Sequence, residues 1–321
     1  VLLPFASTAT PANAANGDFS KIDFAGAAPE TSDHTQGGGA WNDETVGVDE
    51  DIVESLQGGD YACFDIVTYL VQVVVDDTQS AEDDAPQTIE MDFSFLANST
   101  GQPGVAIGEF ASTPGNPTGV QVNYGNVVNG DDGTPPGTGP TGTGLDSGIV
   151  DDGGSTATLT PAPDIGFGPG LTGPLFQAGS ELRGTVELDD LERDESVVVR
   201  VDVRLLCDPG AAPTGTLQGD ISGTLLTFIQ GDTPVDPPEA VPGGAQTVPF
   251  KQIGNIERVD IFVDKVTEPS LATDEFDFRL SETDLGEIEL FGLTDQAGPF
   301  GFTGFPGTYS VEELAPLPDG W

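Results

Sequence analysis

Histidine, cysteine, lysine and paired carboxylates are the side chains here that could do chemistry, and their placement narrows what each can be. The one histidine, His34, sits in the polar, glycine-rich run SDHTQGGGAW. Serine and aspartate are common enough to write a Ser–His–Asp set around it. A nucleophilic serine needs a strand–turn–helix elbow of the GxSxG kind, however, and the chain has none. His34 therefore reads as a solvent-facing loop residue. Carboxylates occur in pairs at Asp76-Asp77, Asp83-Asp84, Asp131-Asp132 and Asp151-Asp152, too many alike for one to stand out as an acid/base couple. No DxDxDG loop with a glutamate at its twelfth position supports a calcium site. No catalytic residue, metal-ligand set or cofactor motif emerges, and the chain is not expected to be an enzyme.

The two cysteines carry a clearer signal. Cys63 falls at the parity of Tyr61, Val67 and Tyr69, and Cys207 at that of Val203 and Leu205, so both should face one core. In an exported chain they most simply form a disulfide, with two separate buried thiols as the alternative. Closing that ring would stabilise the fold by about 4–5 kcal/mol on the chain-entropy account. Parity also singles out a lysine. Val259, Ile261, Val263 and Lys265 share one face of a strand, placing an ammonium at the end of an apolar stripe, and Tyr309, Val311 and Glu313 share another. A buried lysine is costly unless a carboxylate pairs with it.

The elements that position these residues are strands. Ile89, Met91, Phe93 and Phe95 alternate with Glu90, Asp92 and Ser94. Leu182, Val186 and Leu188 alternate with Arg183, Thr185 and Glu187. Val197, Val199, Val201, Val203 and Leu205 oppose Arg200, Asp202 and Arg204. The run Tyr61–Val75 is apolar on both faces and reads as a central strand. Val120, Val122 and Tyr124 make a short piece, and Gln246–Lys251 suits a closing strand. Only Asp49–Gln57, with Ile52, Val53 and Leu56 on one side, has a helical period. Gly130–Gly144 reads as a decorated loop between strands and Gly231–Gly244 as a linker. The expected fold is all-β: a large β-sandwich with long Gly/Pro loops over about 17–250, then a small sandwich over about 256–321.

Composition fixes the setting. The 321 residues hold 54 Asp and Glu against 9 Lys and Arg, a formal net charge of -45. That excludes nucleic-acid binding, which needs cations to displace counterions from phosphates, and equally disfavours an anionic membrane surface. Such a surface suits high salt, where cations screen its self-repulsion. Residues 1–14, VLLPFASTATPANA, read as a signal-peptide remnant cleaved after Ala14, the alternative being an apolar strand that pairs with a neighbour. No later run approaches a membrane span. Asn98-Ser99-Thr100 matches a glycosylation sequon.

The last 65 or so residues contain, in order, DIFVDKV, FDFRL, IELFGL, FGF and PGTYSVEE before a closing Gly-Trp. This series resembles the prealbumin-like SpaA-type and Cna-B-type domains of bacterial surface proteins, small Greek-key sandwiches that repeat as stalks in adhesins and pilins. The preceding region loosely resembles the acidic ectodomains that accompany them. The resemblance implies a secreted or cell-surface structural or adhesive protein, whose partner is an unidentified extracellular ligand or a host or cell-surface polymer. A carbohydrate- or ligand-binding sandwich is the alternative, with Trp41, Tyr61 and Tyr69 as candidate aromatic contacts. In crosslinked members of that family a first-strand lysine joins an Asn or Asp near the last strand, assisted by a glutamate, and Lys265 and Glu313 occupy the matching positions. The resemblance places the acyl partner beyond Trp321, in a strand that would complete the domain. Without a crosslink, Lys265 snorkels to the sheet edge.

Overall fold

The computed structural model describes residues 19–27, 41–42, 52–75, 86–98, 103–111, 118–122, 127–128, 154–193, 195–229, 233–241, 243–267, 274–283, 286–294, 298–304 and 306–315. The expectations for residues 1–14, His34, the four aspartate pairs, Tyr124 and Gly130–Gly144 lie outside them.

The chain forms strands β1 (Phe19–Ala27), β2 (Trp41–Asn42), β3 (Ile52–Val53), β4 (Leu56–Gln57), β5 (Ile66–Val75), β6 (Gln87–Asn98), β7 (Val105–Phe110), β8 (Val120–Val122), β9 (Val127–Val128) and β10 (Thr156–Pro161). These are followed by β11 (Glu181–Leu191), β12 (Ser196–Cys207), β13 (Thr216–Ile229), β14 (Thr233–Ala240) and β15 (Gln246–Lys251). Two sheets face each other, ordered β3-β1-β5-β12-β7 and β10-β11-β6-β13-β15-β4, with β8 added to β12 and β14 to β13. The alternation read from sequence sets what lies between them. Ile89, Met91, Phe93 and Phe95 from one sheet meet Val67, Tyr69, Val71, Val199, Val201 and Val203 from the other, all buried in one cluster. The fold is therefore all-β and sandwich-like.

Two local expectations are corrected. Asp49–Gln57 is not helical in its described part: Ile52 pairs with Ala27 of β1 and Leu56 pairs in parallel with Phe250 of β15. Ile52, Val53 and Leu56 satisfy a helical period, but so short a segment gains more from ladder bonds at two sheet edges than from one helical turn. Gly231–Gly244 is not a free linker, because Thr233–Ala240 pairs with β13 through Ile229↔Thr233 and Leu225↔Ala240. Its prolines hid the strand. They lack an N–H donor, and β14 tolerates them by pairing on one side only. The face of β12 opposite the valines is closed to solvent. Arg200 and Asp202 are 1% and 0% exposed, and Ala25, Ala27, Ile52, Leu70 and Val198 form a second apolar cluster on that side. The central sheet is buried on both faces. Gln246–Lys251 does serve as a strand, pairing β13 across Leu217↔Phe250 to Ile221↔Gln246.

Beyond a short turn at Ile253–Asn255 come β16 (Val259–Val263), β17 (Phe276–Glu282), β18 (Gly286–Leu293), β19 (Phe300–Gly304) and β20 (Tyr309–Glu313). The chain leaves β16 for a second sheet, runs through β17 and β18, returns as β19 beside β16 and crosses again to β20. Phe276, Phe278 and Leu293 are buried between these sheets, with Val263, Phe291 and Phe300 packed against them. The Phe291 and Phe300 rings stack at 3.8 Å.

Candidate functional site: a lysine–glutamate pair in the small sandwich

Lys265 follows the end of β16, and Glu313 ends β20, opposite Phe278 of β17. The strands bring these distant residues together: Lys265 Nζ donates to both carboxylate oxygens of Glu313 at 3.0 Å. The side chains are 17% and 33% exposed, so the pair is sheltered without being sealed. The shelter is aromatic. Nζ lies 4.0 Å from the centroid of the Phe276 ring and 5.8 Å from that of Phe278. A ring face attracts an ammonium and keeps water from one side of it. The two residues that the family resemblance named are thus in contact. The stripe leading to them is less buried than parity suggests, with Val259 and Val311 exposed. A carboxylate in bifurcated contact with an ammonium can take its proton and leave a neutral, nucleophilic amine, the form that attacks an acyl carbon.

Cys63 and Cys207 are joined, closing a ring of sequence separation 144 with Cα atoms 5.8 Å apart. Tyr61 and Tyr69, the aromatics considered for ligand contact, are buried. Tyr61 donates its hydroxyl to Ala27 O at 2.8 Å, and Tyr69 stacks on Phe24. Burial raises both phenols well above their ordinary range. Neither can serve as a binding platform. The side chain of Trp41 lies outside the described residues.

One feature lay beyond the sequence reading. A cleft of about 310 Å³ opens on the outer face of β11, β6 and β13, lined by Asp92, Ser94, Arg183, Thr185 and Ser222. Its polar groups bond one another: Thr185 donates to Asp92 Oδ1 at 2.8 Å and Ser222 to Asp92 O at 3.2 Å. Beside it Ala162 starts a loop pinned by Asp164, whose Oδ1 accepts from the backbone of Gly166, Phe167 and Gly168 at 2.7, 3.1 and 3.0 Å. Those bonds, chiefly from Gly166 and Gly168, hold the Asp164 carboxyl below its usual range. Ile165 and Phe167 stay 64% and 45% exposed at the loop tip. On the same sheet face Glu187 stands directly opposite Glu90. Burial, then the charges of Asp189 and Glu90, raise the Glu187 pKa. No group of three or more metal-ligating side chains forms among the described residues, and no helix there is long and apolar enough to cross a membrane.

No protein-family model matches the chain, and no curated protein matches it either. Among solved structures it is similar to the T6 backbone pilin of serotype M6 Streptococcus pyogenes at 11% identity and a TM-score of 0.26, covering 80% of this chain and 45% of that one. It is similar to BcpA, the major pilin subunit of Bacillus cereus, at 8% identity and a TM-score of 0.25, over 81% of this chain and 55% of that one. For the Corynebacterium diphtheriae major pilin SpaA, described as pointing to a modular pilus assembly with stabilizing isopeptide bonds, the identity is 13% and the TM-score 0.24, over 92% and 53% of the two chains. The chain spans about half the length of these pilins. TM-scores this low leave the fold to be read from the chain's own sheets.

Proposed function

We propose that this chain is part of a structural protein of a bacterial cell surface, secreted and non-enzymatic. On this reading a large acidic sandwich, residues 17–250, precedes a prealbumin-like stalk module, residues 256–321. The observation that carries it is the Lys265–Glu313 contact at 3.0 Å, formed between the two residues that the SpaA-type and Cna-B-type resemblance assigns to an amide-forming lysine and its assisting acid. The all-β layers and the Cys63–Cys207 disulfide suit an oxidising exterior. In the crosslinking step Glu313 takes a proton from the Lys265 ammonium, and the free amine attacks the side-chain carbonyl carbon of an Asn or Asp. One C–N bond forms and the carbonyl carbon's bond to the Asn amide nitrogen or the Asp hydroxyl oxygen breaks; the leaving group takes a second proton from the attacking amine and departs as ammonia or water, while Glu313 passes its proton to solvent.

Two measurements on protein from the cells that make it test this reading. Antibody raised to the large sandwich should label intact cells, and labelling only after lysis refutes surface placement. Peptide mapping should find Lys265 joined to an Asn or Asp with loss of one ammonia or one water, and the Glu313→Ala variant should lose that species. A free Lys265 in folded protein leaves it an ion-pair partner and refutes the crosslink. The second reading, a ligand-binding sandwich, is favoured by the Asp92–Arg183–Ser222 cleft. Saturable binding of a soluble saccharide, abolished by Arg183→Ala, would support it over the first.

A further inference from the structure

Two short segments of the large sandwich, Tyr61–Phe64 and Pro209–Ala211, contact the small one; the disulfide joins Cys63 in the first to Cys207, two residues before the second. On the first, Cys63 N donates to Glu257 O at 2.8 Å and Glu257 N returns a bond to Tyr61 O at 2.9 Å, a short parallel bridge at the entry to the small sandwich. Phe64 sits next to the bonded cysteine with φ 78°, a left-handed conformation that a bulky residue adopts only when its surroundings enforce it. Its N–H is held by Leu205 O at 2.8 Å, its carbonyl by Arg204 at 3.0 Å, and its ring lies under the Arg204 guanidinium. So fixed, the ring packs edge-on against Phe302 of β19 at 6.0 Å. On the second segment, Gly210 N donates to Asp260 Oδ2 at 3.3 Å and Ala211 O accepts from Arg258. Asp260 Oδ1 accepts from Thr303 at 2.8 Å, tying the contact to β19.

We propose that the Cys63–Cys207 bond is the latch of this joint: while it is closed, the two segments form one seat for the small sandwich, and its reduction frees that sandwich from its seat. An external dithiol supplies the chemistry. The S–S bond breaks, two electrons and two protons from the dithiol convert it to two thiols, and the dithiol becomes its own disulfide. Both cysteines are buried, Cys63 fully and Cys207 to 6% exposure, so a reductant gains access when the joint opens. The coupling therefore runs both ways: opening the joint exposes the latch, and cleaving the latch loosens the joint.

Each direction has its own test. Asp260→Ala keeps the disulfide but removes the acceptor shared by Gly210, Arg258 and Thr303. Bonds to a charged acceptor are strong enough that the variant should be reduced by dithiothreitol at least about tenfold faster than the parent. Glu312→Ala, on the exposed far side of β20, should leave the rate unchanged. In the converse test, a Cys63→Ser/Cys207→Ser variant should exchange the Glu257 and Gly210 amide hydrogens at least about tenfold faster, while Val71 and Val201 in the central strands stay protected. Equal reduction rates for Asp260→Ala and parent overturn the proposal. So does unchanged protection at Glu257 and Gly210 in the serine variant. If the serine variant does not fold, the reduction rate of Asp260→Ala decides alone.

Discussion

Arg200→Met is the substitution that most directly tests the doubly buried sheet. Arg200 Nε lies 2.8 Å from Asp202 Oδ2, and Thr68 donates its hydroxyl to Asp202 Oδ1 at 2.6 Å, all on a face closed to solvent. Removing the cation strands the carboxylate where water cannot reach it. Breaking one side of a buried pair costs about 3–5 kcal/mol, because desolvation of the remaining charge is no longer offset. For a unit of this size each kcal/mol moves the midpoint by about 2–4 °C, so Tm should fall by about 6–20 °C. The double variant Arg200→Met/Asp202→Leu removes both charges and keeps the volume filled, and it should recover to within about 1–2 kcal/mol of the parent. The assay is urea unfolding of the parent, the two single variants and the double, read as a coupling energy with the slope checked for constancy. Additive losses would refute the reasoning. A cost below about 1 kcal/mol for Arg200→Met would show that water reaches the face.

Two further outcomes follow from the opposite sheet. A Cβ at Gly219 would stand 2.6 Å from Cε1 of Tyr69 and 3.2 Å from the Phe95 ring, so Gly219→Ala should cost about 1–3 kcal/mol by urea unfolding, and an unchanged midpoint would contradict the packing. Glu187 has its pKa raised in the folded state, which therefore holds its proton longer than the unfolded chain does: that stability is complete below the ordinary glutamate range and is lost as pH rises through the folded pKa. Relieving the facing Glu90 charge by Glu187→Gln should stabilise the protein at pH 7 by about 0.2–1 kcal/mol and leave it unaffected at pH 4. A gain of equal size at both pH values would argue against repulsion as the cause.

Much of this architecture was legible because a half-buried strand alternates. Ile89 to Phe95, Leu182 to Leu188 and Val197 to Leu205 all sit where parity puts them. The failures have one physical root: local pattern does not reveal what lies across from a residue. The charges of Arg200 and Asp202 gave no sign in sequence that the two pair with one another inside. Thr233–Ala240 looks like a linker because prolines deplete donors, though an edge strand needs few. Ile52, Val53 and Leu56 fit either a helix turn or two sheet edges, and tertiary pairing decides. Lys265 and Glu313 were found by parity joined to a family resemblance, whereas Phe276 and Phe278, which wall the pair, carried no signal beyond their own alternation. The seat around Phe64 and Asp260 could not be read at all, since its contacts join segments distant in sequence.

The disulfide has a covalent consequence separate from stability. Every peptide bond between Cys63 and Cys207, including the whole Gly130–Gly144 stretch, lies inside a closed loop. A protease that nicks this loop once opens the chain without releasing either part: the N-terminal portion stays attached to the C-terminal portion through sulfur. Such a molecule would run as a single species on a non-reducing gel and as two after reduction. Parting the two portions at a nick inside this loop therefore demands a reductant as well as the cut.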